Sequence, residues 1–236
     1  MIWFQNRLTL NLQIFKKMAS HLETELGKLK GIIIKIGNLA ESQVTEAVKS
    51  LLSEPGSESK EVKKTESKID KLDVKIDDIC QSVFALQQPV ASDLRFIMSA
   101  MQMSNQIERI GDLSMSIIKL SKSIKEKHEL ISKFDISNIT GEVETIVLKT
   151  NQCFENLDEA KIDEIFFLNT SIKDKSGEAI DKIIGEMKNN SKTVVSGTNL
   201  IMALKHIERI ADHCTNIAES VYFMINAKTI KHEKIK

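Results

Sequence analysis

The chain contains nearly the same segment twice, first as "NQIERIGDLSMSI" and again as "KHIERIADHCTNI", with the second copy 100 residues after the first. Both copies hold Ile-Glu-Arg-Ile, then a small residue, then Asp. Earlier segments also correspond, because "ESKIDKL" and "DKSGEAI" each place two acids four residues apart with apolar residues two and six positions further on. A repeat of about 100 residues is longer than the units of solenoid proteins. The duplication therefore predicts two bundled halves.

Helices are the predicted element throughout. Long stretches carry apolar residues at intervals of three and four, and the 236 residues include only two prolines. The spacing predicts an all-α fold of two tandem pseudo-repeated three-helix bundles, at residues 20–130 and 137–228, joined by an irregular polar passage at 127–140. Residues 1–19 are expected to form a poorly ordered N-terminal extension and residues 229–236 a basic C-terminal tail. The predicted helices lie at about 20–53, 61–86, 92–127, 141–157, 159–189 and 193–226.

The composition excludes several classes of function. The 33 Lys and Arg residues balance 33 Asp and Glu residues, so no global charge attracts the chain to nucleic acid. Three widely spaced cysteines do not form a disulfide framework and suit a reducing cytosol. No apolar run approaches the roughly 20 residues of a membrane span, and the N-terminus has no compact apolar core of a signal peptide. The chain is expected to be cytoplasmic, reaching the inner face of the membrane only through partners.

The repeated segment places two carboxylates one helical turn apart. At about 100° per residue, Glu108 and Asp112 differ by only about 40° around the helix, and they share a sector with Leu94, Ile97 and Met101. The acids are therefore expected on the core-facing side, where burying an unpaired carboxylate costs on the order of several kcal/mol. Two close carboxylates in such a place must protonate, pair with Arg or Lys, or bind a cation.

The second helix of each half adds a further acid pair, so four carboxylates are predicted to meet between antiparallel helices in each half. Oxygen ligands of this kind suit hard or borderline ions, here Fe, Mn, Zn or Mg, bound singly or as a cluster. The predicted metal ligands are Glu66, Asp70, Glu108 and Asp112 in the first half, and Asp174, Glu178, Glu208 and Asp212 in the second.

Two other interpretations stay open at this point. Arg109 and Arg209 could neutralise neighbouring acids, which would leave a metal-free helical adaptor. A di-iron oxidase of the ferritin type needs Glu-x-x-His on two helices, whereas none of the five histidines has Glu three residues before it. No catalytic residue is predicted.

Two signatures resemble the PhoU family of bacterial phosphate-uptake regulators. They are the segment "QPVASDLR" (Gln88 to Arg95) followed by "ERIGD" (Glu108 to Asp112), and the later segment "IERIADHCTNIAESVYFM". The resemblance covers residues 20 to 232 and implies a pair of three-helix bundles whose acid pairs bind metal clusters. The chain departs from the family in the second half, where Glu178 stands in place of the commoner Asp and Gly177 weakens the helix between the two acids.

The resemblance also implies a function. Such proteins are not enzymes; they couple a phosphate ABC transporter, through its ATPase component, to a membrane sensor histidine kinase, and they restrain uptake and signalling when phosphate is plentiful. The same resemblance implies a cytosolic metal-binding regulator, with a homodimer as a further expectation. A related regulator serving another anion transporter is the alternative.

Overall fold

The computed structural model describes the backbone of residues 2–53, 61–125 and 127–230. Within these ranges the chain forms seven α-helices and one 3-10 turn, Ser191–Thr193, and no strand. The helices are α1 (Ile2–Leu52), α2 (Glu61–Gln87), α3 (Ala91–Ser121), α4 (Lys127–Lys133), α5 (Ile136–Asn156), α6 (Ala160–Asn189) and α7 (Val194–Asn226). The predicted all-α fold is confirmed.

The helices pack as two bundles of three. In the first half α1 contacts both α2 and α3, and in the second half α5 contacts both α6 and α7. The two halves meet mainly along α3 and α7, the helices that carry the repeated segment, and α1 also packs on α5. Hydrogen bonds join α3 to α7, because Gln106 Oε1 lies 2.7 Å from His213 Nδ1 and accepts from Asn216 Nδ2 at 2.9 Å. The duplicated helices therefore form the centre of the molecule.

The first helix is longer than its predicted bounds. α1 begins at Ile2, so the segment expected to form an extension continues into this helix. No glycine or proline precedes Gly27, which leaves nothing in the local sequence to end a helix there. The predicted break at residues 54–59 and the end of the basic tail, residues 231–236, lie outside the described residues.

The passage predicted as irregular is mostly helical. It contains α4 and the first turn of α5, which begins at Ile136. Lys127 is only 2% exposed, and its ammonium donates to the carbonyl oxygens of Ser50 and Ser53, each at 3.0 Å. The last carbonyls of a helix lack partners inside it, so this lysine caps the C-terminus of α1. Apolar spacing does not predict α4, because the buried residue that begins this helix, Lys127, is charged.

Apolar stripes at helical spacing form the core, as the sequence predicts. Leu29, Ile33, Ile36 and Ala40 of α1 are all at most 2% exposed. Among the described residues no helix is long and apolar enough to cross a lipid bilayer.

The three cysteines are buried thiols, at positions 80, 153 and 214. Burial raises the pKa of each to about 12, and nearby Asp77 and Asp158 add to the effect at Cys80 and Cys153. We expect a thiol-specific reagent such as DTNB to label the native protein very slowly near neutral pH and to label all three sites after denaturation. Rapid labelling of the native protein would contradict this packing.

Candidate metal site

The acidic face of the first half lies along the antiparallel pair α2 and α3. Ser104 Oγ donates to Asp73 Oδ1 at 2.5 Å, which fixes the register between the two helices. Because the two helices are antiparallel, one turn from Asp73 toward the N-terminus of α2 lies beside one turn from Ser104 toward the C-terminus of α3. By this register Asp70 lies level with Glu108, and Glu66 lies level with Asp112, along the two helices.

Glu108 is a partly buried carboxylate of this face. Its side chain is 23% exposed, and its buried Oε2 accepts no hydrogen bond, although Arg109 Nε lies 3.4 Å away. Burial raises the pKa of Glu108, and the negative charges of Asp112, Asp73 and Asp70 raise it further, while Arg109 acts in the opposite direction. A second cation near Glu108 would relieve both effects, since it would replace lost solvation and offset repulsion.

Asp73 is a member of the acidic face that the sequence prediction missed. It contacts Ser104, and it contributes to the field at Glu108 more than Asp70 does. The signal was present in the sequence, because Glu66, Asp70 and Asp73 follow one another at intervals of four and three, which is the spacing of one helical face.

The acid pair of α3 faces the core only in part, contrary to the sequence-based expectation, because Glu108 has one buried oxygen while Asp112 is largely exposed. The buried side of α3 carries Ile107, Ile110 and Gly111, whereas the Asp112 side chain is 48% exposed. The expected sector was defined partly by Leu94, which is itself 38% exposed. The carboxylates therefore lie at the border between core and solvent, where a cation from solution can reach them.

The second half presents a different set of contacts. Asp212 Oδ1 lies 2.6 Å from Lys173 Nζ and accepts a hydrogen bond from Asn169 Nδ2 at 3.2 Å. Glu208 pairs with Lys205 on its own helix, with both carboxylate oxygens 2.9 Å from the ammonium. The predicted ligands Asp174 and Glu178 are exposed on α6, and the side chains that meet Asp212 are instead those of Lys173 and Asn169, one and five residues before Asp174.

The described residues contain no group of three His, Cys, Asp or Glu side chains placed to hold a metal ion. The first-half acids fit a cation in their chemistry and charge, because they are all oxygen donors and include one buried carboxylate oxygen without a hydrogen bond. The metal assignments for both halves stay predictions.

The raised pKa of Glu108 gives a prediction for metal-free protein. Because the folded-state pKa lies above the ordinary value of 4.5, the associated stability is fully present below that value and is lost as the pH rises through the raised one. After treatment with chelator, Glu108→Gln should therefore raise the Tm at neutral pH by about 2–4 °C, the shift expected for about 1 kcal/mol. Thermal melts at several pH values measure the difference, which should disappear in acid.

The exposed Glu155 supplies the control for this measurement. Glu155→Gln removes one carboxylate charge from the end of α5, and it should leave the Tm within about 1 °C of the wild type. A gain in Glu108→Gln that persists unchanged in acid would contradict the electrostatic explanation.

Comparison with protein families assigns both halves to one domain type. A model of the PhoU domain matches residues 33–121 and again residues 136–221, which include the two repeated segments. A phosphate-specific transport system accessory protein PhoU of Serratia marcescens is 25% identical over 225 residues, covering 94% of this chain and 91% of that protein. A PhoU homolog of Pseudomonas aeruginosa, also named as an accessory protein of that system, is 25% identical over 216 residues, covering 91% of this chain and 89% of that protein.

Solved structures show the same fold. The crystal structure of PhoU from Pseudomonas aeruginosa superposes with a TM-score of 0.80 at 25% identity, covering 87% of this chain and 99% of that one. The phosphate transport system regulatory protein PhoU from Streptococcus pneumoniae has a TM-score of 0.70 at 23% identity, over 89% of this chain and 99% of that one.

Proposed function

This chain belongs to the PhoU family, since the matched PhoU domains cover most of its length, and we propose that it is a metal-binding accessory protein of phosphate transport. The observation that carries the proposal is the match of both three-helix halves to the same domain, including the acidic segment of each. Relatives that align along nearly the whole chain are named as accessory proteins rather than enzymes. We accordingly propose a regulatory role without catalysis.

The metal ion of this proposal belongs first to the acidic face of α2 and α3. Fe, Mn, Zn or Mg would be held there by carboxylates, and its charge would offset the repulsion that raises the pKa of Glu108. Bound metal would thereby hold α2 against α3. The proposed ligands are Glu66, Asp70, Asp73, Glu108 and Asp112. The proposal is confined to the first half and does not include Asp174, Glu178, Glu208 and Asp212, which only the sequence pattern assigned to a metal.

The partners of the proposed regulator are the ATPase component of a phosphate ABC transporter and a membrane sensor histidine kinase, which the protein would reach from the cytoplasm. The names of the relatives support the link to the transport system. Exposed apolar side chains support a role in protein contact, because Leu86 and Val90, at the junction of α2 and α3, are 67% and 69% exposed.

Complementation tests this function. The chain is expressed in a bacterial strain that lacks its own PhoU, and phosphate uptake and a phosphate-regulated reporter are measured with phosphate plentiful. We expect the wild-type chain to restore repression of both, and Glu108→Ala/Asp112→Ala to restore much less. Glu155→Ala/Glu159→Ala removes two exposed carboxylates elsewhere and serves as the control.

The possible results separate the candidate functions. Full restoration by the variant without Glu108 and Asp112 would favour a metal-free adaptor, an alternative that the ion pair between Lys173 and Asp212 supports in the second half. Failure of the well-expressed wild-type chain to repress either readout would contradict a role in phosphate transport and favour another anion transporter.

A further inference from the structure

Buried positions establish how the middle helices of the two halves correspond. Four residues on the buried side of α2 each have a buried counterpart 103 residues later on α6, and α3 corresponds to α7 at an interval of 100 residues. The pairs are Val62 with Ile165, Ile69 with Ile172, Ile76 with Ala179 and Cys80 with Ile183. The contacts agree with this correspondence. Asn169, the counterpart of Glu66, meets Asp212, the counterpart of Asp112, and the register of the first half likewise sets Glu66 level with Asp112.

The correspondence shows that the acidic face is not duplicated. The positions of Glu66, Asp70 and Asp73 on α2 are occupied on α6 by Asn169, Lys173 and Ser176. With the two acids of the last helix included, the five positions carry a formal charge of −5 in the first half and −1 in the second. Asp174 and Glu178 do not restore the difference, because the burial pattern places them at the positions of Lys71 and Lys75 of α2 and not at the positions of Glu66, Asp70 and Asp73.

The contacts of Lys173 indicate what this change does. Its ammonium lies 2.6 Å from Asp212 Oδ1, and the Asn169 carboxamide donates to the same oxygen. An ammonium and an amide N–H from a neighbouring helix thus meet Asp212. Its first-half counterpart, Asp112, accepts a longer hydrogen bond of 3.4 Å from Arg109 Nη1 on its own helix, and it adds with Asp70 and Asp73 to the negative field at Glu108. A lysine ammonium is a compact point charge that can satisfy a carboxylate without a metal ion.

We propose that Lys173 replaces the metal ion in the second half, so that the chain binds divalent cations at α2 and α3 alone. This inference rests on the proposed metal-binding function and adds its stoichiometry and position. The α6–α7 pair then stays closed whatever the metal supply, whereas the α2–α3 pair responds to it. The two halves of one duplicated fold would in this way divide into a metal-dependent and a metal-independent part.

Metal content after a residue exchange tests the inference. The full chain and its variants are loaded with Mn²⁺, desalted and analysed for Mn per chain, with helicity checked by circular dichroism. Asn169→Glu/Lys173→Asp installs the first half's residues on α6, and we expect its Mn content to rise toward twice that of the wild type. Glu208→Ala/Asp212→Ala should leave the wild-type Mn content unchanged.

The possible results distinguish a failure of this inference from a failure of the proposed metal-binding function. Loss of Mn from Glu208→Ala/Asp212→Ala would overturn the inference while leaving metal binding intact, and this readout holds even if the exchange variant fails to fold. A folded exchange variant that gains no Mn would also overturn it. A wild type without Mn would contradict the proposed metal function, yet a gain of Mn in the exchange variant would still support the role of Lys173.

Discussion

Replacing both acids of the repeated segment in α3, as in Glu108→Ala/Asp112→Ala, is expected to remove nearly all bound metal and to lower the Tm of metal-loaded protein. A ligand held at about 100 times its Kd stabilises a folded protein by about 2.7 kcal/mol, which corresponds to roughly 5–10 °C in a chain of this length. Elemental analysis and thermal melts of the same samples would measure the two effects together.

The control for this variant is the protein treated with chelator. Without metal, the loss of two mutually repelling carboxylates should make the double variant at least as stable as the wild type, because burial and the charge of Asp112 both raise the pKa of Glu108. Unchanged metal content in the variant, or an equal loss of Tm with and without chelator, would show that these acids have only a structural role.

Gly111→Leu is expected to cause the second large effect, a loss of stability from overpacking. A Cβ at this position would lie 3.0 Å from Gln43 Oε1 and 3.4 Å from Ile69 Cδ1, so a larger side chain must push α3 away from α1 and α2. Overpacking of a core costs about 1–3 kcal/mol, or roughly 2–12 °C in Tm here. Because Asp112 follows directly, the same displacement should also weaken metal binding.

Gly177→Leu is the matched control. Gly177 also lies inside a helix, but a Cβ there meets nothing within 4 Å. Leucine is a better helix former than glycine by up to about 1 kcal/mol, so this variant should be as stable as the wild type or more so. Similar Tm values for Gly111→Leu and Gly177→Leu would contradict the close packing of α1, α2 and α3.

The fold could be predicted largely because its signals are local. Periodic apolar residues and the breaks around Pro89 and Asn190 indicated most helix bounds, and the duplication indicated the two bundles. The short helix α4 could not be predicted in this way. Its position depends on Lys127 meeting carbonyl groups at the end of α1, more than 70 residues earlier in the sequence, and no local pattern contains that contact.

The candidate site was only partly predictable, because acids are common on helix surfaces. The sequence paired Glu66 with Asp174 from the spacing of their acids, whereas the burial pattern gives Glu66 a different counterpart, Asn169. Core residues define the equivalence of two helices more reliably, since burial constrains them while surface charges can shift along the helix. The role of Lys173 emerges only from its contact with Asp212 on another helix.

Anomalous X-ray diffraction from crystals of the full chain grown with Mn²⁺ would test the central claim most directly, because it locates the metal as well as detecting it. We predict an anomalous peak between α2 and α3 at coordination distance from carboxylate oxygens of Asp70 and Glu108, and none beside Asp212. If crystals grown with a large excess of Mn²⁺ over protein show no anomalous peak at the α2–α3 face, that result would contradict the account.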